Sequence, residues 1–230
     1  MSLVIAIKDK DRVVFGSDKQ SSVMGSKDHT STKIWELSDL PGAIMGSVGH
    51  SRASQIIQYS GIIDKNEIGS DIDTEFIVRS LAPTLATALK ANGMKLEDED
   101  SRCLMMPNDF LFAYGDKAWM IWRDLSVSEI DNYLVIGSGS EVARGVLFAT
   151  EDKNPFERIV TCIDAAAEST LYVDDGVDIL ATSYRELDKK LIAKVLGFEI
   201  EEPKQTEEVK PSEEKPKKKA KKTEKNSENK

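Results

Sequence analysis

The sequence predicts an α+β fold built on antiparallel sheet, and three observations carry that reading. Four short apolar segments joined by turns occupy the chain from Leu3 to Val48. A helical periodicity replaces the strand pattern between Ser51 and about Lys90. A second group of strand-like segments, from Phe110 to Ile136, then leads into a second pair of helices.

Leu3-Val4-Ile5-Ala6-Ile7 is a continuous apolar run of strand type, and Val13-Val14-Phe15-Gly16-Ser17-Asp18 is another. The charged turn Lys8-Asp9-Lys10-Asp11-Arg12 joins them as a hairpin and returns Asp18 towards the Ser2 end. Ser21 to Thr32 is polar, contains Gly25 and suits a loop. Ile34 to Leu37 and Ala43 to Val48 pair around Leu40-Pro41-Gly42. Lys33 opens the first of these and is placed to reach the same end of the sheet as Ser2.

Ala53, Ile56 and Ile57 give the segment Ser51 to Ser60 one apolar face, and Gly61 stops it. Ile77, Leu81, Leu85 and Ala88 form the stripe of a longer helix from about Asp73 to Lys90. Pro83 removes one backbone donor inside it and predicts a kink or break, and Asn92-Gly93 supplies a C-terminal cap. Lys95 to Asn108 reads as an acidic surface loop. A third hairpin turns at Gly115-Asp116-Lys117, and Tyr133 to Ile136 leads into Gly137-Ser138-Gly139-Ser140. Helices follow at Ser140 to Ala149 and at Pro155 to Glu168, the second with Asn154 as N-cap and Glu157 completing a capping box. Val177 to Thr182 is a strand, and Ser183-Tyr184-Arg185-Glu186 caps a last helix that ends at Gly197.

The chain has 230 residues and a net charge of −9. Residues 201–230 are Pro-interrupted and nearly free of apolar side chains, so they form a disordered tail that cannot offset the entropy of ordering. The tail's 10 Lys and 8 Glu contribute +2, which leaves −11 for residues 1–200, a single domain. An acidic body argues against nucleic acid as a partner. Cys103 and Cys162 are too few for a disulfide framework, and neither they nor His29 and His50 match a metal-binding spacing, so no metal or cofactor is expected. No apolar run reaches the roughly 18 residues that span a bilayer, and a strand beginning at Leu3 leaves no room for a targeting peptide. A cytoplasmic protein without membrane attachment is the expectation.

Removal of Met1, favoured by the small side chain after it, makes Ser2 the N-terminal residue with both a hydroxyl and a free α-amine. That amine has a pKa of about 7.7–8.0, so near neutrality it can take the hydroxyl proton. The Gly137-Ser138-Gly139-Ser140 turn has three readings: a helix cap, a phosphate cradle, or part of the chemistry at Ser2.

Counted from Ser2, these residues resemble the proteasome β-subunits and the HslV-type proteases of the N-terminal-nucleophile hydrolases. Asp18 falls where that family keeps its acidic residue, and Lys33-Ile34 falls on its catalytic lysine after a one-residue gap. Gly46-Ser47-Val48-Gly49 and Gly137-Ser138-Gly139-Ser140 fit in order and approximate spacing, and Ser2 stands where most relatives have Thr. The resemblance implies a four-layer αββα sandwich, a detail that the pattern alone does not give.

It also implies a threonine-protease-type endopeptidase that acts through an acyl-enzyme. In it Ser2 is the nucleophile, Lys33 the activating charge, Asp18 its partner, Ser138 a neighbour of the amine and the Gly46 N–H the oxyanion donor. Ile44, Met45 and Val48 then border an apolar substrate pocket. Glu168 stands in the region where the family has Asp, one methylene longer. Relatives work as self-assembled rings fed by a separate ATPase, and this chain has no P-loop of its own. The alternatives are a proteasome-like structural or binding subunit that does not cleave, and an amidase acting on small amides.

Overall fold

The computed structural model describes residues 2–23, 26–28, 32–63, 72–96, 103–185 and 187–197. Gly25, His29 and the charged tail lie outside the described residues. The strands of the first half are β1 (Leu3–Asp9), β2 (Arg12–Asp18), β3 (Ser21–Val23), β4 (Ser26–Asp28), β5 (Ile34–Glu36) and β6 (Ala43–Gly49). Those of the second half are β7 (Asn108–Tyr114), β8 (Lys117–Ile121), β9 (Val127–Glu129), β10 (Tyr133–Gly137) and β11 (Val177–Ala181).

Two antiparallel sheets are stacked face to face, one in the order β10-β1-β2-β11 and the other β5-β6-β7-β8-β9. Val4, Ala6, Val13 and Phe15 of the first sheet meet Ile34, Ile44, Leu111 and Met120 of the second between them. The alternate residues Leu3, Ile5, Ile7 and Val14 point the other way, towards α4 (Ser140–Ala149) and α5 (Pro155–Ser169). β1 is therefore buried on both faces, which is why it reads as an unbroken apolar run instead of an alternating one.

On the far side, Met45, Phe110, Phe112 and Trp119 pack against α1 (Ser51–Tyr59) and the helical stretch from α2 (Thr74–Phe76) to α3 (Ala82–Ala91). The four layers are helix, sheet, sheet, helix, as the resemblance implied. Full burial of each such aliphatic or aromatic side chain stabilises the fold by about 1.5–3 kcal/mol as an upper bound.

Pro83 sits in the first turn of α3, and the irregularity it causes lies just before it, as a π-helical turn over Ile77–Leu81. The wider turn accommodates the missing proline N–H without ending the helix. Two short elements depart from the sequence reading. Ser21 to Thr32, expected as a loop, contains the β3–β4 hairpin, and the three-residue β9 pairs with β8 where no strand was expected. The last helix, α6 (Asp188–Val195), starts later than its expected capping box, of which Glu186 lies outside the described residues.

Candidate active site

The two hairpins deliver the site. β1 begins beside the end of β2, so the Leu3 N–H, one peptide from Ser2, donates to Asp18 Oδ1 at 2.7 Å. Lys33, one residue before β5, donates from Nζ to the same oxygen at 2.6 Å. The Gln20 N–H holds Oδ2 at 3.2 Å. Asp18 is 0% exposed and Lys33 4%. Burial pushes the Lys33 ammonium below its ordinary pKa and the Asp18 carboxyl above its own, and their mutual attraction opposes both shifts without cancelling them.

Ser2 is fixed from its other side. The Ser138 N–H donates to the Ser2 carbonyl at 2.9 Å. Gly137 has φ +106°, and a Cβ there would come within 1.8 Å of that carbonyl oxygen, so only glycine lets β10 approach so closely. Ser138 meets Ser2 through its backbone, and its side chain is exposed.

A cavity of about 240 Å³ opens against these groups, lined by Ser2, Lys33, Ser47, Gly49, Ser54 and Gln55 among others. None of the four residues expected as substrate pocket or oxyanion donor is among the lining residues. Ile44 and Met45 are both 0% exposed and belong to different cores, since successive residues of β6 face opposite layers. Val48 shares the inter-sheet core with Ile44. Gly46 is packed there too, with Val4, Ile34 and Phe15 within 3.3 Å of where its Cβ would stand. The expected apolar pocket is thus replaced by a polar one.

Gly49, and not Gly46, is among the residues that line the cavity. The Ser47 N–H points towards β5 and donates to the Lys33 carbonyl at 2.9 Å. Gly49, two residues further along β6, lines the cavity. Gly49 has φ +133°, and a Cβ there would lie 2.5 Å from the Pro107 carbonyl oxygen.

Glu168 is corrected as well. It is exposed near the C-terminal end of α5, too far along the helix surface to face the sheet. The buried acid beside the pair is Asp174, whose Oδ1 accepts the Lys19 N–H at 3.0 Å and whose charge acts on both Lys33 and Asp18. Its signal in the sequence, Asp174-Asp175-Gly176, reads equally well as a turn. Ser54 and Asn108 escaped notice for a related reason: each is a lone polar residue in a helix or loop until the fold brings them to Ser47.

Neither a family model nor a curated protein matches the sequence. Solved structures do. Thiobacillus denitrificans BPH in complex with epoxomicin superposes at a TM-score of 0.61 with 17% identity, over 78% of this chain and 97% of that one. The chain has the fold of the proteasome-like N-terminal-nucleophile hydrolases. Eukaryotic HslV from Trypanosoma brucei shares the proteasome-like fold at a TM-score of 0.52 and 15% identity, over 78% of this chain and 98% of that one. So does Anbu from Pseudomonas aeruginosa, solved as a helical assembly, at 0.60 and 16%, over 80% and 82% of the two chains. Within that fold, no helix among the described residues is long and apolar enough to cross a membrane.

Proposed function

We propose that the chain is a proteasome-like peptidase whose nucleophile is Ser2 after removal of Met1. The observation that carries this reading is the convergence on Asp18 Oδ1 of the Lys33 ammonium and the Leu3 N–H, next to a cavity that Ser2 itself lines. A buried ion pair at the end of two hairpins is a costly arrangement for stability alone, and its lysine lines the same cavity as Ser2, which supports a role for that charge in the chemistry.

In the proposed reaction the free α-amine of Ser2 takes the hydroxyl proton as Oγ attacks the substrate carbonyl. The Gly49 N–H stabilises the resulting oxyanion. Collapse expels the amine product, which takes the proton back, and leaves an ester on Ser2 Oγ. Water then gives a proton to the same amine as it attacks the ester carbonyl, and the ester C–O bond breaks as the amine returns that proton to Ser2 Oγ and the acid is released. Lys33 favours the ionised hydroxyl and lowers the proton affinity of the amine, while Asp18 holds Lys33 in place.

The relatives in this fold include one solved with epoxomicin and one solved as an assembly, which supports a peptidase formed from several copies of the chain. The proposed assembly is a homo-oligomeric ring that receives polypeptide substrate from a separate ATPase. The experiment is mass spectrometry of the purified protein before and after epoxomicin. The expected result is an N-terminal Ser2 and one adduct per chain that is lost in Ser2→Ala. A retained Met1 blocks the amine and overturns the mechanism.

A further inference from the structure

The polar wall of the cavity has an unusual proton count. Asn108 is completely buried at the start of β7, and its Oδ1 accepts the His50 N–H at 2.8 Å. A backbone N–H can only donate, so this bond fixes the amide orientation and makes Nδ2 the donor to Ser54 Oγ at 3.1 Å. Ser54 Oγ and Ser47 Oγ are 2.6 Å apart and share one further bond, in which either is the donor. Two hydroxyl protons are available and one bond uses one of them. Neither oxygen has another hydrogen-bond partner among the described residues. One hydroxyl proton is left over whichever way the pair is oriented, and both serines line the cavity next to Ser2.

The charges around the cavity constrain what can use that proton. Among the described lining residues Lys33 has the one charged side chain, and its ammonium is already bound to Asp18. A lysine or arginine side chain entering the cavity meets no carboxylate among the described lining residues, and a glutamate meets a lysine that is already neutralised. An apolar side chain leaves the hydroxyl proton and the serine lone pairs dry and unpaired. A carboxamide matches both, because its oxygen accepts the free proton and its NH₂ donates to a serine lone pair.

We propose that this cavity holds the side chain on the acyl side of the cut bond and selects asparagine or glutamine through Ser47 and Ser54. The proposal rests on the peptidase reading and names the substrate class of that site. Selection arises because a site built to hydrogen-bond its ligand penalises an isostere that lacks the partner groups. Ser47 is the wall of the cavity and Ser54, held by Asn108, is the support behind it. Loss of either serine alone frees the proton of the other, so only the double replacement removes both hydroxyl donors of the pair.

The test uses the full chain with its N-terminus verified, and fluorogenic peptides that differ only in the residue before the cut bond. Asparagine and leucine have nearly the same shape, which makes them the informative pair, with glutamine, glutamate and lysine alongside. The expected result is kcat/KM at least tenfold higher for asparagine or glutamine than for leucine. Ser47→Ala keeps a preference for the carboxamide, and Ser47→Ala with Ser54→Ala reduces it to less than threefold. Ser2-dependent cleavage with leucine equal or preferred in the unmodified protein overturns the inference and leaves the peptidase reading intact, and so does an undiminished ratio in the double variant. Absence of Ser2-dependent cleavage of every peptide overturns both.

Discussion

Lys33 Nζ and Asp18 Oδ1 are 2.6 Å apart in a setting where both side chains are almost completely shielded from water. Withdrawing two charges from water costs several kcal/mol each, so such a pair adds little net stability, yet loss of one partner leaves the other buried and uncompensated. Lys33→Ala is expected to destabilise the protein by about 3 kcal/mol, the lower end of the usual range because the Leu3 and Gln20 N–H groups still hold the Asp18 carboxylate. It should also slow epoxomicin labelling of Ser2 by about 100-fold or more. Urea unfolding and labelling rates measure the two effects separately. Unchanged labelling in a folded Lys33→Ala protein would exclude Lys33 from the chemistry.

The same pair sets the pH range. Burial lowers the Lys33 pKa from that of an ordinary lysine, so Lys33 is charged below its shifted value and loses its proton at a lower pH than a surface lysine would. The α-amine must be unprotonated, which gives activity a rising limb near its own pKa of about 7.7–8.0 or lower beside the lysine charge. Peptidase activity is therefore expected to rise through that range and to fall again below the ordinary lysine pKa of 10.5. The check is kcat/KM against pH, in which a profile still flat above pH 10.5 would show that the Lys33 charge is not required.

Gly137 is a point where backbone meets backbone, with no side chain able to move aside. Its φ of +106° is strained for any L side chain, and an added Cβ would overlap the Ser2 carbonyl. Gly137→Ala should shift the first residues of β1 away from β10 and break the Ser138 to Ser2 hydrogen bond. The expected outcome is at least a tenfold loss of epoxomicin labelling, with the far-UV circular dichroism of the remaining sheets retained. Gly145→Ala is the matched control, because nothing lies within 4 Å of its added Cβ.

The strands and helices were legible in the sequence because each has its own period, whereas their stacking in four layers came from the resemblance. Leu3 to Ile7 and Ala43 to Val48 read as strands, and the stripes of α1 and α5 read as helices. Asp18 and Lys33 were legible for a different reason: the tight Asp9–Arg12 turn returns Asp18 towards Ser2, and the resemblance supplied Lys33. The cavity was not legible. Its wall depends on which face of β6 turns to the helices, and the resemblance pointed to Gly46 where the cavity is lined by Ser47 and Gly49. Asn108 belongs to the same wall only through its register opposite Gly49, 59 residues earlier in the chain. Asp174 was hidden by its own chemistry, since Asp-Asp-Gly serves a turn as readily as a charge cluster.

At the other end of the first sheet, α6 is fastened by a second buried ion pair. Arg12, 2% exposed in β2, binds Asp188 through both terminal nitrogens, binds Asp9 through Nε at 3.0 Å and covers the Phe156 ring. Burial by itself would raise the Asp188 carboxyl, but the Arg12 hydrogen bond, the Arg185 N–H and the charges of both arginines hold it below the ordinary value of 3.8. A carboxyl depressed in the folded state contributes stability that is present above its unfolded pKa and lost as pH falls through the folded one. Asp188→Asn removes that contribution at neutral pH and leaves Arg12 with Asp9 as its remaining carboxylate, for an expected cost of about 3 kcal/mol. As pH falls from the ordinary value of 3.8 through the lower folded-state pKa, the unmodified protein should progressively lose the same contribution, so the gap between the two stability curves should narrow. Urea titrations of both proteins at pH 7 and pH 3 measure the gap. A gap of equal size at both values would mean that packing of the side chain, and not its charge, holds α6 against β2.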